Sequence, residues 1–154
     1  METHTSPERL IPVDDLFVFL SGRWSVDRKM TDRQSGASGT FTGSAAYTPH
    51  DGHLRYEEEG QLCFGDYGDT AFRRYDFAFP STATAQVFFD DGRAFHDLDL
   101  SNGHWRTEHF CDPDHYDGIF QVISDNAYVC QWAISGPKKD MALHTTYQRA
   151  LPII

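Results

Sequence analysis

Two histidines, His96 and His109, carry the side chains best suited to move protons near neutral pH. They flank Asn102-Gly103, a favoured centre for a two-residue hairpin. Such a loop fixes strand register and sets His96 opposite His109. Directly opposed side chains have Cβ atoms about 4.5–5.5 Å apart, so the two imidazoles can touch or share a ligand. In a low-dielectric interior the pair resists double protonation, which keeps at least one ring neutral near pH 7. With Glu58 or a tyrosine orienting one ring, the pair could serve as acid and base in an isomerisation, cyclisation or dehydration. The alternative is a structural pair, hydrogen-bonded to each other, to a tyrosine or to Glu58.

Arg28 offers a planar fork for a ligand carboxylate or phosphate, or else an internal ion pair with Glu58. Cys111 lies two residues from His109 on the same face of an extended strand. His96, His109 and Cys111 therefore have the ligand types of a three-ligand zinc site with an open position. A buried free cysteine more often acts as a small hydrophobe, and no metal is expected here. No nucleophile–base arrangement and no phosphate loop is visible, which disfavours hydrolase and kinase chemistry.

These residues must be positioned by strands. Only "IPVDDLFVFLSG" reads as helix: Val13, Leu16, Phe17 and Leu20 share one face, Pro12 suits the first turn, and Gly22 ends it. The spacing predicts a short amphipathic helix over 12–20. After Gly22 the period is two, with Trp24, Val26, Arg28 and Met30 on one face. Hairpin signals recur at Asp51-Gly52, Asp91-Gly92, Asn102-Gly103 and Asp125-Asn126.

The registers follow from the loops. Around Asp51-Gly52, Tyr47 faces Tyr56, Ala45 faces Glu58 and Phe41 faces Leu62. Around Asp91-Gly92, Phe89 faces Ala94, Val87 faces His96 and Ala85 faces Leu98. Around Asn102-Gly103, Leu100 faces Trp105, Leu98 faces Thr107 and His96 faces His109. Around Asp125-Asn126, Ile123 faces Tyr128, Gln121 faces Cys130 and Ile119 faces Trp132. One face is apolar throughout, and the other carries Asp97, Asp99 and similar solvated groups. Residues 69–79 carry Phe72 and Tyr75 on opposite faces and stay unoriented.

About ten strands with one dry face leave exposed edges unless the sheet closes. The expected fold is all-β: an up-and-down antiparallel barrel with the helix capping one end. A single domain over 11–154 follows a flexible tail over 1–10. The net charge is −10, which disfavours nucleic acid and anionic membrane surfaces as partners. No apolar run is long enough to span a bilayer, and no signal segment is visible. The three cysteines, Cys63, Cys111 and Cys130, fit reduced thiols, and a cytoplasmic location is expected. The sequence is compatible with a homodimer.

"LSGRW" entering the first strand resembles the GxW element of lipocalin, fatty-acid-binding and nitrobindin-like barrels. Those families often pack a cation from the last strand across that tryptophan. The resemblance assigns structural roles to Trp24 and to Arg149 in "TTYQR". It also implies haem as a cofactor to consider, through His96 or His109, since His144 points outward. From Leu16 to Arg149 the chain resembles the DUF6314-like family of uncharacterised small bacterial proteins. "FLSGRWSVDR", "GTFTG", "YEEEGQL", "FDDGRAFHDLDL", "HFCDPDHYDG" and "GPKKD" carry the likeness. It implies the barrel and supplies no activity.

The expected inward face is apolar but interrupted by Arg28, Glu58, His96, Thr107, His109, Cys111, Gln121 and Thr145, with hydroxyls from Tyr47, Tyr56 and Tyr147. A solid core would not carry so many polar groups, each needing a buried partner. The composition suits a small-molecule pocket. The leading expectation is a barrel that binds a small, largely apolar ligand with an anionic or polar head. The alternatives are the histidine-based enzyme and a zinc or haem protein.

Overall fold

A computed structural model describes residues 10–150. Residues 1–9 and 151–154 lie outside the described residues, and with them nearly all of the expected tail.

The helix is shorter than its apolar spacing suggests. It runs Leu16–Leu20 (α1), with the Asp15 side chain capping it by accepting from Val18 N–H. Residues 11–13 lie against the strand ends instead of joining the helix. Ile11 donates to Val122 O at 3.0 Å and Val13 to Leu100 O at 3.0 Å. Leu16 N–H reaches Thr82 O at 2.8 Å. The apolar face survives this change: Val13, Leu16 and Leu20 are buried.

Ten strands follow: β1 (Gly22–Asp32), β2 (Ser38–His50), β3 (His53–Phe64), β4 (Tyr67–Ala78), β5 (Thr84–Phe89), β6 (Ala94–Asp99), β7 (His104–Cys111), β8 (Asp114–Ser124), β9 (Ala127–Gly136) and β10 (Lys139–Arg149). They form one antiparallel sheet in the order β6-β5-β4-β3-β2-β1-β10-β9-β8-β7. The sheet curls until its two edge strands, β6 and β7, lie side by side without a backbone ladder. The barrel is therefore nearly closed, with a seam, and α1 covers one end.

The seam overturns one expected hairpin. Asn102-Gly103 does form a tight turn, with Gly103 N–H donating to Leu100 O at 2.9 Å, but β6 and β7 do not pair beyond it. The N-terminal segment occupies the place where pairing would start. Val13 shares the Leu100 carbonyl, and Val122 N–H takes the Gly103 carbonyl at 2.8 Å. Gly103 sits at φ +78, and a Cβ there would lie 2.7 Å from Ile11 O. The opposed pairs Leu100–Trp105, Leu98–Thr107 and His96–His109 therefore do not exist.

The Asp51-Gly52 hairpin has the expected register, including Tyr47↔Tyr56, Ala45↔Glu58 and Phe41↔Leu62. Two others are altered by β-bulges. Between β5 and β6, Val87↔His96 and Ala85↔Leu98 hold, but Phe88 rather than Phe89 faces Ala94. Phe95 is the extra residue, so Phe95 and His96 both turn inward, 9% and 7% exposed. Between β8 and β9 the extra residue is Ile123. The pairs are Val122↔Tyr128, Phe120↔Cys130 and Gly118↔Trp132, in place of those expected for Ile123, Gln121 and Ile119. One slipped residue exchanges the faces, so Phe120 and Val122 are buried instead.

β4 is oriented by its ladder with β3: Leu54↔Phe77, Tyr56↔Tyr75 and Glu58↔Arg73. Tyr75 faces in and Phe72 stands on the surface. The α1-covered end is packed solid by Leu16, Leu20, Trp24, Leu54, Leu100, Val122 and Tyr128. No helix among the described residues is long and apolar enough to cross a membrane.

Candidate functional site

Beyond that packed end the barrel holds a cavity of about 250 Å³. Its floor is a polar network carried by five adjacent strands, β3, β2, β1, β10 and β9. Arg28 (β1) donates from Nη1 to Glu58 Oε2 at 2.7 Å and from Nη2 to Glu58 Oε1 at 2.9 Å. Its Nε donates to Thr145 Oγ1 (β10) at 2.8 Å and its Nη2 to Tyr147 OH at 3.4 Å. Tyr56 OH donates to Glu58 through a short hydrogen bond. With that proton spent, Tyr147 OH is the donor in its 3.1 Å bond to Tyr56. Tyr47 and Tyr128 join hydroxyls at 2.7 Å.

Burial and pairing set the charge states. Burial alone would raise the Glu58 carboxyl, but the Arg28 hydrogen bonds and charge hold it below its ordinary range. Burial opposes the Arg28 charge, and the Glu58 hydrogen bond more than restores it. Burial pushes Tyr47, Tyr56, Tyr128 and Tyr147 up, so all four hydroxyls keep their protons. Burial also pushes the Cys130 thiol up to about 12.

The other wall is aromatic. Phe89 and Phe95 stack at 4.5 Å with planes 18° apart, and Phe95 and Trp132 stack at 5.2 Å, also at 18°. Trp132 can lie flat there because its strand neighbour is Gly118; a Cβ at Gly118 would come 2.6 Å from the indole. Phe77, Val87, Tyr116, Phe120, Ile134 and Leu143 also line the cavity.

His96 lines this cavity, and its Nδ1 is 2.7 Å from Asp97 O. A carbonyl only accepts, so Nδ1 carries the proton and Nε2 is an acceptor. Burial lowers the ring's pKa to about 4, so it is neutral at pH 7. His109 does not line the cavity. Its ring packs against Phe95 at 5.2 Å and Tyr116 at 5.7 Å, and its Nε2 is buried without a partner. Both imidazoles thus touch Phe95 rather than facing each other, His96 at 4.7 Å.

Of the other expected ligand-binding residues, Arg28, Tyr47, Tyr56, Glu58 and Tyr147 line the cavity. Thr107 does not: its hydroxyl donates to Asp97 Oδ1 at 2.7 Å across the seam. Cys111 is exposed, and the Ile123 bulge turns Gln121 away. His96, His109 and Cys111 do not converge, and no other trio of His, Cys, Asp or Glu side chains among the described residues could hold a metal. His144 is exposed. Arg149 lies 4.3 Å over the Trp24 ring and donates to Phe19 O at 2.8 Å.

The sequence reading missed Arg73, Tyr75 and Phe95. Gly65-Asp66 was the available signal for the first two, because a two-residue loop there sets Glu58 opposite Arg73 and Tyr56 opposite Tyr75. No turn residue announces the bulge at Phe95.

A family pattern matches residues 20–149. The chain belongs to the DUF6314 family. That family is described as one of unknown function, and no curated protein matches the sequence. Among solved structures, the S-type phycobiliprotein lyase CPES from Guillardia theta is similar, with a TM-score of 0.70 at 10% identity over 95% of this chain and 97% of that one. A protein of unknown function from the DUF3598 family of Nostoc punctiforme gives a TM-score of 0.64 at 13% identity, over 96% of this chain and 53% of that one. At these identities the likeness is one of fold.

Proposed function

We propose that this protein binds one small, largely apolar molecule with a polar or anionic head inside the barrel. The observation that carries the reading is the cavity itself. Protein interiors leave few voids larger than a water molecule. Here about 250 Å³ stays open, roughly the liquid volume of eight waters. The polar network beside it satisfies itself, so a ligand is not needed to rescue buried charge. The aromatic wall supplies apolar contact, and His96 Nε2 is left to accept a hydrogen bond.

Acid–base catalysis has less support. Both Glu58 oxygens are taken up by Arg28 and Tyr56. An imidazole with a pKa of about 4 is a poor general acid near pH 7. His109 stands outside the cavity. The fold does not discriminate between binder and enzyme, since the Guillardia theta neighbour is a lyase. The residues do not fit a zinc site. Haem is also a poor match, because a cavity of about 250 Å³ suits a ligand smaller than a macrocycle.

Native mass spectrometry of freshly purified protein tests the reading. The expected result is a co-purified small molecule that leaves on denaturation and is absent from a cavity-filling Val87→Trp variant with an intact circular-dichroism spectrum. An adduct carried equally by that folded variant would place binding elsewhere and sink the proposal.

A further inference from the structure

Resting on that binding reading, we infer that the cavity selects a monoanion with a flat aromatic body, and that Arg73 holds its negative group. Three formal charges line the cavity: Arg28, Glu58 and Arg73. Arg28 and Glu58 cancel through their paired bonds. The remaining wall is neutral at pH 7, so the cavity carries a net +1 inside a chain of net charge −10.

Arg73 is available where Arg28 is not. Its partner across the ladder is Glu58, whose two oxygens already accept from Arg28 and Tyr56. Among the described residues Arg73 forms no ion pair, whereas neighbouring Arg74 takes Glu57 and Asp90. β5 pairs with β4 only from Tyr75 to Ala78, so Arg73 lies on the stretch that β5 leaves uncovered. It sits one step beyond the Tyr56–Tyr75–Phe89 row, away from the end that α1 covers. The residue is exposed yet lines the cavity, as a group at its mouth would.

The chemistry follows from the two walls. A guanidinium presents a rigid fork that binds a carboxylate through two parallel hydrogen bonds. The nearly parallel Phe89, Phe95 and Trp132 rings favour a flat body by offset stacking. A dianion would leave one charge uncompensated against the apolar lining, at high desolvation cost.

Titration calorimetry with 2-naphthoate and its neutral isostere 2-naphthamide tests this. Wild type should prefer the naphthoate by about tenfold or more, the range of a charge-assisted contact. Arg73→Gln should erase that preference while leaving 2-naphthamide affinity within about twofold. Arg73→Lys, which keeps charge without the fork, should retain part of it. Equal affinities in wild type, or a preference unchanged in folded Arg73→Gln, would overturn the anion site and leave the binding reading standing. Failure of wild type to bind either probe would overturn the aromatic-anion selectivity, while the co-purification test decides the wider binding reading.

Discussion

The Asp97 carboxylate on β6 accepts a 2.7 Å hydrogen bond from Thr107 Oγ1 on β7, across the seam where those strands share no ladder. Trp105 Nε1 reaches the same oxygen at 3.3 Å. A residue that strand alternation assigns to mere solvation therefore clasps the barrel shut. Asp97→Ala strands the buried Thr107 hydroxyl and should cost about 1–3 kcal/mol, read from the urea midpoint at constant slope. Asp97→Asn keeps an acceptor and should cost less. Equal, negligible losses would mean that the clasp contributes nothing.

Arg28 and Glu58 should behave as a unit. Removing the cation alone, as in Arg28→Met, leaves an uncompensated buried carboxylate and should cost about 3–5 kcal/mol. The double change Arg28→Met with Glu58→Leu should recover most of that loss. In the single variant burial is left to act on Glu58 with its main partner gone, which raises its carboxyl pKa. Acidification should then stabilise that variant relative to wild type, and chemical denaturation at pH 7 and pH 5 reads the sign directly.

His96 gives wild type the opposite response to acid. Its folded pKa of about 4 lies below the ordinary value near 6.5, so the unfolded chain takes the proton first. The associated stability is complete above about pH 6.5 and drains away as pH falls to about 4, on the order of 3 kcal/mol in total. Glu58, also lowered in the folded state, adds a further loss as pH falls through its own folded pKa. His96→Gln should flatten the first phase and spare the second. An unaltered slope between pH 6.5 and 4 in that variant would contradict the assignment.

Gly118 is a space reserved for Trp132. In Gly118→Ala the new methyl would occupy the indole's position, so the ring must swing off Phe95. Such overpacking should cost about 1–3 kcal/mol, shift tryptophan emission and weaken 2-naphthamide binding. Unchanged emission and binding would show that the wall does not depend on this contact.

Much of this was legible in the chain. The alternation around Trp24, Val26 and Arg28 and the Asp51-Gly52 loop placed Arg28, Tyr47, Tyr56 and Glu58 on one inner surface. The errors trace to single inserted residues and to one competing segment. A bulge adds a residue without a turn signal: the one at Ile123 exchanges the faces of β8 from Val122 back to Gly118, whereas the one at Phe95 turns that residue inward and leaves Val87↔His96 in register. Asn102-Gly103 carries a hairpin signature, but Ile11 and Val13 reach the strand ends first, a long-range contact that no local pattern encodes. Arg73 is signalled only by Gly65-Asp66, a weaker hairpin centre than the Asp-Gly and Asn-Gly pairs elsewhere in the chain.

The charge contrast between wall and surface also governs rates. A net charge of −10 repels an approaching anion while the single cation at the mouth retains it once seated. Added salt screens both effects. It should therefore speed association and speed release together. Measured at equilibrium alone, salt sensitivity would look modest because the two rates move in step, and stopped-flow traces would resolve what a titration averages away.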